Sequence, residues 1–400
     1  MKLLQVFNQY RSRFNGEDAV VRRIDELVAK HGGQTRLLLR NSQGLETSVV
    51  RKVQAAFSGI YNWSAQREMR RVLRDDRPDI VHVHNLYPLF SPSILVACRQ
   101  ERVPVVMSLH NQQLTCPKSD HLHRGNVCEK CVGGKEFHCV LQNCRGNLME
   151  SMAYAARSTI ARQTRVFESH VTLFAALSEF AKRRLVAAGF NEQQITVLPN
   201  MAPVAAEPTD PGRGDYFAFA GRMSEEKGIE TILAAAALVP ECRVRLAGDG
   251  PLLAALQAKA PPNVSFAGRL SAAEMVHFYR GARCLLHSST CFEMCPLVIS
   301  EAMMHGLPVI ASDIGGREEL IEPNRTGLLF QPHDAAQLAA FMRSLWHDPQ
   351  RCRELGQAGY ALARDRFGEE LYYQKLMSIY HRAISIVGHS QPSEIGVVSR

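Results

Sequence analysis

Four hundred residues, 46% hydrophobic and 22% charged, exceed what one ordinary core serves and fit two globular domains. That composition excludes a disordered or fibrous chain, and no uninterrupted apolar run approaches the ~18 residues that a membrane span needs. The net charge of +8 is uneven: residues 1–200 hold 28 Lys and Arg against 17 Asp and Glu, the remainder 19 against 22, which points the first half at something anionic.

No recognition motif or aromatic-interleaved basic helix supports nucleic acid, and an anionic membrane surface or a phosphate-bearing lipid acceptor fits the charge at least as well. The start, MKLLQVFNQYRSRF, is short in its apolar part and lacks a small-residue cleavage site, so a cytoplasmic protein is expected. Reducing conditions there make eleven cysteines better evidence for metal or buried thiols than for disulfides.

KLLQVFN reads as a strand and GEDAVVRRIDELVAKHGG as a helix that its glycine pair stops. TRLLLR, DIVHVH, VPVVMSLH, HVTLFAALS and ITVLPN follow as strands, with helices such as PSILVACRQE and SEFAKRRLVAAG between them. The succession predicts an α/β domain over residues 1–200, a parallel sheet covered by helices on both faces. His82 and His84 alternate on DIVHVH and so share one face, and His110 ends VPVVMSLH at a carboxyl edge. Glu179 opens the helix in LSEF, either as a partner of the helix dipole or as a cleft contact.

Residues 111–146 carry no strand or helix pattern, and a loop of that length needs its own source of order. Cys116, Cys128, Cys131 and Cys144 are spaced C-x(11)-C-x(2)-C-x(12)-C, a close pair flanked by two single cysteines. Such a set can close a tetrahedral structural zinc site, with His121, His123, His138 and Cys139 as spare ligands. Free thiols packed in a loop are the alternative; a redox role would want C-x-x-C at a helix start after a strand, which VCEKCVGG lacks.

MAPVAAEPTDPGRG, residues 201–214, has three prolines, two glycines and no periodicity, and reads as a linker. The alternation restarts with DYFAFAG, ETILAAAALV, CRVRLAG, NVSFAG, CLLHSS and PVIAS, and Ser271 with Glu274 forms a capping box before SAAEMVHFYRGA. Residues 215–368 therefore form a second doubly wound domain, and the cleft between two such domains is the expected site. In CFEMCPLVISEAMMHG, Pro296 suits a helix start and Gly306 its end, so Glu293 precedes the helix and Glu301 lies on its second turn. The free amides between them suit an anion. In FAGRMSEEKGIETIL, Arg222 and Lys227 follow a strand end and can neutralise a diphosphate. Read alone, both pairs are equally compatible with solvated loop and helix residues.

Together, G-R-x(4)-K-G and the later E-x(7)-E resemble the donor half of retaining family 4 glycosyltransferases with the GT-B fold. ASDIGGREELIEPNRTGLLF, HVHNLYPLFSPSIL, VPVVMSLHNQQLTCP and VLPN extend the resemblance over nearly the whole chain. It implies two Rossmann-like domains facing across a cleft, a nucleotide-sugar donor, a glycan or lipid-linked acceptor, retention of configuration, and no cofactor for catalysis. It assigns Arg222 and Lys227 to the diphosphate and Glu301 to the ribose. Glu293, with the amides near Cys295, Pro296 and Leu297, takes the sugar hydroxyls, and His110 lies beside the transferred sugar. His84 and Asn85 fall on the acceptor side. Two features depart from the family: Met294-Cys295-Pro296 replaces a glycine–aromatic–glycine run, and Asn15-Gly16-Glu17 keeps only Gly16 for close approach to the donor phosphate. A subset of the family associated with bacterial surface polysaccharides carries a similar cysteine insertion. The resemblance also implies that residues 369–388 form a helix returning to the first domain; residues 389–400 read as a loose tail. The expected protein is a polysaccharide-building transferase, cytoplasmic and peripheral at the membrane. A sugar-nucleotide epimerase on the same fold and a non-catalytic, zinc-organised binding protein are the competing readings.

Overall fold

The computed structural model describes residues 1–9, 16–42, 58–202 and 207–389. The first domain contains strands β1 (Lys2–Gln9), β2 (Gln34–Asn41), β3 (Ile80–Asn85), β4 (Val105–Leu109), β5 (Leu122–His123), β6 (Asn126–Val127), β7 (Leu173–Ala176) and β8 (Ile195–Val197). Its helices are α1 (Gly16–Lys30), α2 (Trp63–Asp76), α3 (Ser93–Gln100), α4 (Phe137–Leu141), α5 (Leu148–Gln163), α6 (Val166–His170) and α7 (Glu179–Ala187). The second domain contains β9 (Tyr216–Ala220), β10 (Val244–Ala247), β11 (Val264–Gly268), β12 (Ala282–His287), β13 (Val309–Ser312) and β14 (Gly327–Phe330). With them are α8 (Ile229–Leu238), α9 (Leu253–Lys259), α10 (Ala272–Arg280), α11 (Leu297–Met304), α12 (Ala335–His347), α13 (Pro349–Phe367) and α14 (Glu369–His389).

Each domain holds a six-stranded parallel sheet, ordered β2-β1-β3-β4-β7-β8 and β11-β10-β9-β12-β13-β14. Two doubly wound α/β domains are thus present, as the alternation of elements led us to expect. Every residue of β3 is buried, which a central strand covered on both faces requires. In each sheet the direction of winding reverses once, between β1 and β3 and between β9 and β12. Loops leaving the carboxyl ends of strands at such a reversal part from one another and open a crevice. That topology aims the segments after β9 and β12 at a common space.

The capping box at Ser271 and Glu274 forms at the start of α10. Asp210, held by Arg353 at 2.9 Å, caps a 3₁₀ turn over Pro211–Arg213 within the segment expected to link the domains; residues 203–206 lie outside the described residues. On α14, Tyr372, Leu376, Ile379, Tyr380 and Ala383 pack with Leu3, Val20, Ile24 and Ile80 of the first domain, so this helix returns to the sheet where the chain begins. The tail beyond His389 lies outside the described residues.

The segment 111–146 differs from its patternless reading. It contains the antiparallel β5–β6 hairpin and the short helix α4, which packs on α5. Local turns order it: Cys116 N–H donates to Gln112, and Cys128 N–H to His121 at 2.7 Å. No helix among the described residues is long and apolar enough to cross a membrane.

Candidate active site

Arg222 and Lys227 lie between β9 and α8, and Ser288 to Pro296 between β12 and α11. Glycine makes their close approach possible. Gly228 has φ +59°, and a Cβ there would stand 2.1 Å from the Ser288 carbonyl oxygen, so only glycine fits after Lys227. Backbone and side chain then tie the two segments: Ser288 Oγ donates to the Lys227 carbonyl at 2.8 Å, and Thr290 N–H to that of Glu226 at 2.9 Å.

The result brings Lys227 and Glu293 together. Lys227 Nζ stands 2.8 Å from Glu293 Oε1, Ser289 Oγ donates to the same oxygen, and His287 Nε2 lies 3.5 Å from it. Glu293 Oε2 has no partner among the described residues. Burial opposes the charge on Glu293, yet Lys227 and the facing His287 hold its carboxyl well below the usual range. Burial lowers His287 to about 4. Arg317 is wholly buried beside this group with Nε and Nη2 unpartnered, its positive charge facing Glu293. Arg222 is exposed and unpaired among the described residues.

Cys295 and Pro296 lead into α11, whose first residue is Leu297. The Cys295 carbonyl accepts from Asn200 Nδ2 of the first domain at 2.9 Å, and burial raises the Cys295 thiol to about 11. Glu301 is paired with Arg23 of α1 at 3.0 Å, a partner from the opposite domain. Gly16 begins α1 opposite α11; a Cβ on it would sit 3.3 Å from Leu297 Cδ1. Asn15, the other half of the expected turn, lies outside the described residues.

His84 and Asn85, expected on the acceptor side, are both fully buried. Gln5 on β1 donates through Nε2 to the Val21 carbonyl at 3.2 Å and to Asp25 Oδ1 at 3.4 Å. Its Oε1 must therefore accept, which fixes the proton of His84 on Nε2, 2.9 Å away. Burial keeps His84 neutral, far below its ordinary pKa, so His84 Nδ1 carries a lone pair and accepts from His110 Nε2 at 3.0 Å. His110, itself lowered to about 4 by burial, is left with a bare Nδ1 that has no partner among the described residues. His82 is packed away from the site, bonded to Tyr380 and Ser108.

Several residues were not legible as site members. Glu17 hydrogen-bonds Asn85 Nδ2 at 3.5 Å, and burial raises its carboxyl to about 7, with Asn111 and Asn85 partly opposing. Glu319 crosses the cleft: its oxygens accept from the backbone N–H groups of Glu179, at 2.7 Å, and Phe180, at 2.6 Å. Glu179 thus contributes its amide rather than its carboxylate. Arg184 lies over the Phe292 ring at 4.5 Å, and Gln112 Nε2 reaches Met294 Sδ at 3.7 Å. Only the GGREE string within the resembled segment could have pointed to Arg317 and Glu319.

Cys116, Cys128, Cys131, Cys139 and Cys144 all line one small cavity with Lys118, Leu122 and His123. Cys131 and Cys139 are raised to about 12 by burial and by the neighbouring thiols. His121 lines the same cavity; its Nδ1 contacts the Cys128 carbonyl and its Nε2 contacts Thr115 and Arg184. Among the described residues, no three ligand side chains yet stand in a metal-holding arrangement. The insertion reaches the second domain: the His121 ring lies 6.2 Å from that of Phe292, and Gly125 borders Glu225.

Two family profiles match in tandem, Glycosyltransferase Family 4 over residues 15–205 and Glycosyl transferases group 1 over residues 205–362. The chain belongs to the family 4 glycosyltransferases. This glycosyltransferase chain is 33% identical to the sulfoquinovosyl transferase SQD2 of Arabidopsis thaliana over 34% of its own length and 28% of the relative's. It is 36% identical to a GDP-mannose-dependent alpha-mannosyltransferase of Mycobacterium tuberculosis over 37% and 36%. These alignments span less than half of the curated relatives' length. Its fold matches sucrose-phosphate synthase from Thermosynechococcus elongatus with a TM-score of 0.72 at 17% identity, covering 96% of this chain and 99% of that one. Anabaena HepE, crystallised with UDP, matches with a TM-score of 0.64 at 18% identity, covering 94% and 99%.

Proposed function

We propose that this glycosyltransferase moves a sugar from a nucleoside-diphosphate sugar to a hydroxyl of a glycan or lipid-linked glycan, with retention of configuration. The observation that carries the reading is the division of labour on Glu293: Lys227, Ser289 and His287 all approach Oε1, which leaves Oε2 open to a sugar hydroxyl. Lys227 has three ammonium donors and gives one to Glu293, so donors remain for a phosphate oxygen. Arg222, exposed and unpaired, supplies a second cation. As the anomeric carbon–oxygen bond breaks, charge accumulates on the departing diphosphate, and cations already in position stabilise it. The acceptor oxygen bonds to the anomeric carbon from the same face, and its proton passes to the departing phosphate oxygen. His110 Nδ1 accepts a hydrogen bond from a sugar hydroxyl and orients it.

Anabaena HepE, the relative with UDP-glucose in a crystal structure, supports a nucleotide sugar as donor. We assign the cysteine cluster to a structural zinc held by Cys116, Cys128, Cys131 and Cys144. Its soft thiol donors, gathered around one cavity, suit that metal. Lipid-linked acceptors and peripheral membrane attachment belong to the same reading.

A thermal-shift screen over nucleoside diphosphates tests it. A ligand at ~100 times its dissociation constant adds about 2.7 kcal/mol, a rise of several degrees. Arg222→Ala and Glu293→Gln should fold and lose transfer; full activity in both would refute the donor site. Interconversion of the donor sugar without transfer would favour an epimerase.

A further inference from the structure

Helix α5 exposes its apolar side. At 3.6 residues per turn, Leu148, Met149, Met152, Ala156 and Ile160 fall on one face, and that face is turned outward. The buried positions are Ser151, Ala155, Arg157 and Ala161, the reverse of what a core-facing helix shows. The neighbouring α4 adds Phe137 and Leu141, one turn apart. The six large apolar side chains on these two packed helices are 39–73% exposed. Scattered exposed leucines need no explanation, but an apolar face of this kind marks an interaction surface. Underneath, Cys131, Cys139 and Ala155 form a small core with Val140 and Cys144, so the cysteine cluster holds the two helices together.

The segment that carries this face is basic, with eight Lys and Arg against four Asp and Glu over residues 117–165. Each acidic residue between positions 117 and 165 already has a cation: Asp120 with Lys118, Glu129 with Arg184, Glu136 with Arg162 and Glu150 with Arg145. Lys130 and Lys135, on the segment that leads into α4, are exposed and have no acidic partner among the described residues. A second copy docked on the same face would bring four such cations together. A bilayer with anionic headgroups offers both what the leucines and methionines need and what the lysines need.

We propose that the outer face of α4 and α5 docks this enzyme on an anionic lipid bilayer. The purpose of docking rests on the reading of a lipid-linked acceptor, but the contact itself does not. Because the same insertion borders Phe292 and Glu225, docking would hold the mouth of the cleft at the membrane surface.

The test is flotation of the full chain with phosphatidylcholine vesicles, with and without phosphatidylglycerol, in the absence of donor and acceptor. Binding to the anionic vesicles is expected, weakened at high salt. The double variant Leu141→Glu/Met149→Glu should lose binding at least about tenfold, because each side chain then leaves the acyl boundary carrying a charge. Leu238→Glu, an exposed position on the second domain, should bind like the parent. An unchanged melting temperature in the double variant shows that it still folds. Absence of binding to anionic vesicles, or undiminished binding by the double variant, overturns the proposal. A dimer in sedimentation that the double variant abolishes, without vesicle binding, would assign the face to a second copy instead. The nucleotide thermal shift is measured separately, so a failed donor site and a failed docking face are told apart.

Discussion

Replacing Glu319 with alanine should loosen the two domains. Its carboxylate accepts from two backbone N–H groups at the amino end of α7, at 2.7 and 2.6 Å, although it belongs to the opposite domain. Each hydrogen bond to a charged group contributes about 1.5–3 kcal/mol, and the helix dipole about 0.3–1 more. The side chain is 27% exposed, and water can reach the amides once it is gone, so the net loss should be about 2 kcal/mol. That is roughly a thirtyfold shift toward separated domains. Arg183 also approaches Glu319, at 3.4 Å, but is largely exposed and should contribute almost nothing. Small-angle scattering of Glu319→Ala should show a larger radius of gyration, and its melting temperature should fall by several degrees. Arg183→Ala should change neither. Scattering and melting in Glu319→Ala that match the parent would refute the clamp.

In Gln5→Leu, His84 loses the acceptor that fixes its tautomer, and the imidazole nitrogen shifts of His110 should change in NMR spectra, with transfer reduced about tenfold. Unchanged His110 shifts in Gln5→Leu would sink the relay. The low pKa of His110, about 4, leaves Nδ1 unprotonated above that value, so the parent's transfer rate should fall through this group only as pH drops toward 4. Protein made under reducing conditions with zinc supplied should carry about one zinc per chain, lost in Cys128→Ser/Cys131→Ser, and elemental analysis that finds no metal would remove the zinc assignment.

The fold was legible where physics is local. Parallel strands buried on both faces leave continuous apolar runs, and VPVVMSLH or DYFAFAG shows them plainly. The helix at 148–163 is not legible that way, because its inward positions are serine, alanine and arginine. The motif residues Arg222, Lys227 and Glu293 could be found because they follow strand ends, where the topology itself puts ligands. Alternation put His82 and His84 on one face, and their rings do lie 4.1 Å apart. It could not tell that β3 is buried end to end, His84 and Asn85 included. Gln5, Arg317 and Glu319 work through contacts distant in sequence, as in the 140-residue separation between Glu319 and the Glu179 amide, and no local pattern encodes those.

The charge balance of the site favours the proposed nucleotide-sugar donor over a free sugar. Glu293 is nearly enclosed among Lys227, His287 and Arg317, and the local cations outnumber the acid even with His287 neutral. Lys227 is paired with Glu293, while Arg317 has two buried nitrogens without a protein partner among the described residues. An arriving diphosphate brings the negative charge that this group lacks. A neutral sugar would leave the excess cation uncompensated. The same excess favours the moment of bond breaking, when the diphosphate carries most charge, over the bound ground state. Under the proposed function, this charge balance favours the leaving diphosphate rather than the sugar. On the same proposal the sugar is left to Glu293 Oε2 and His110 Nδ1, one acceptor from each domain.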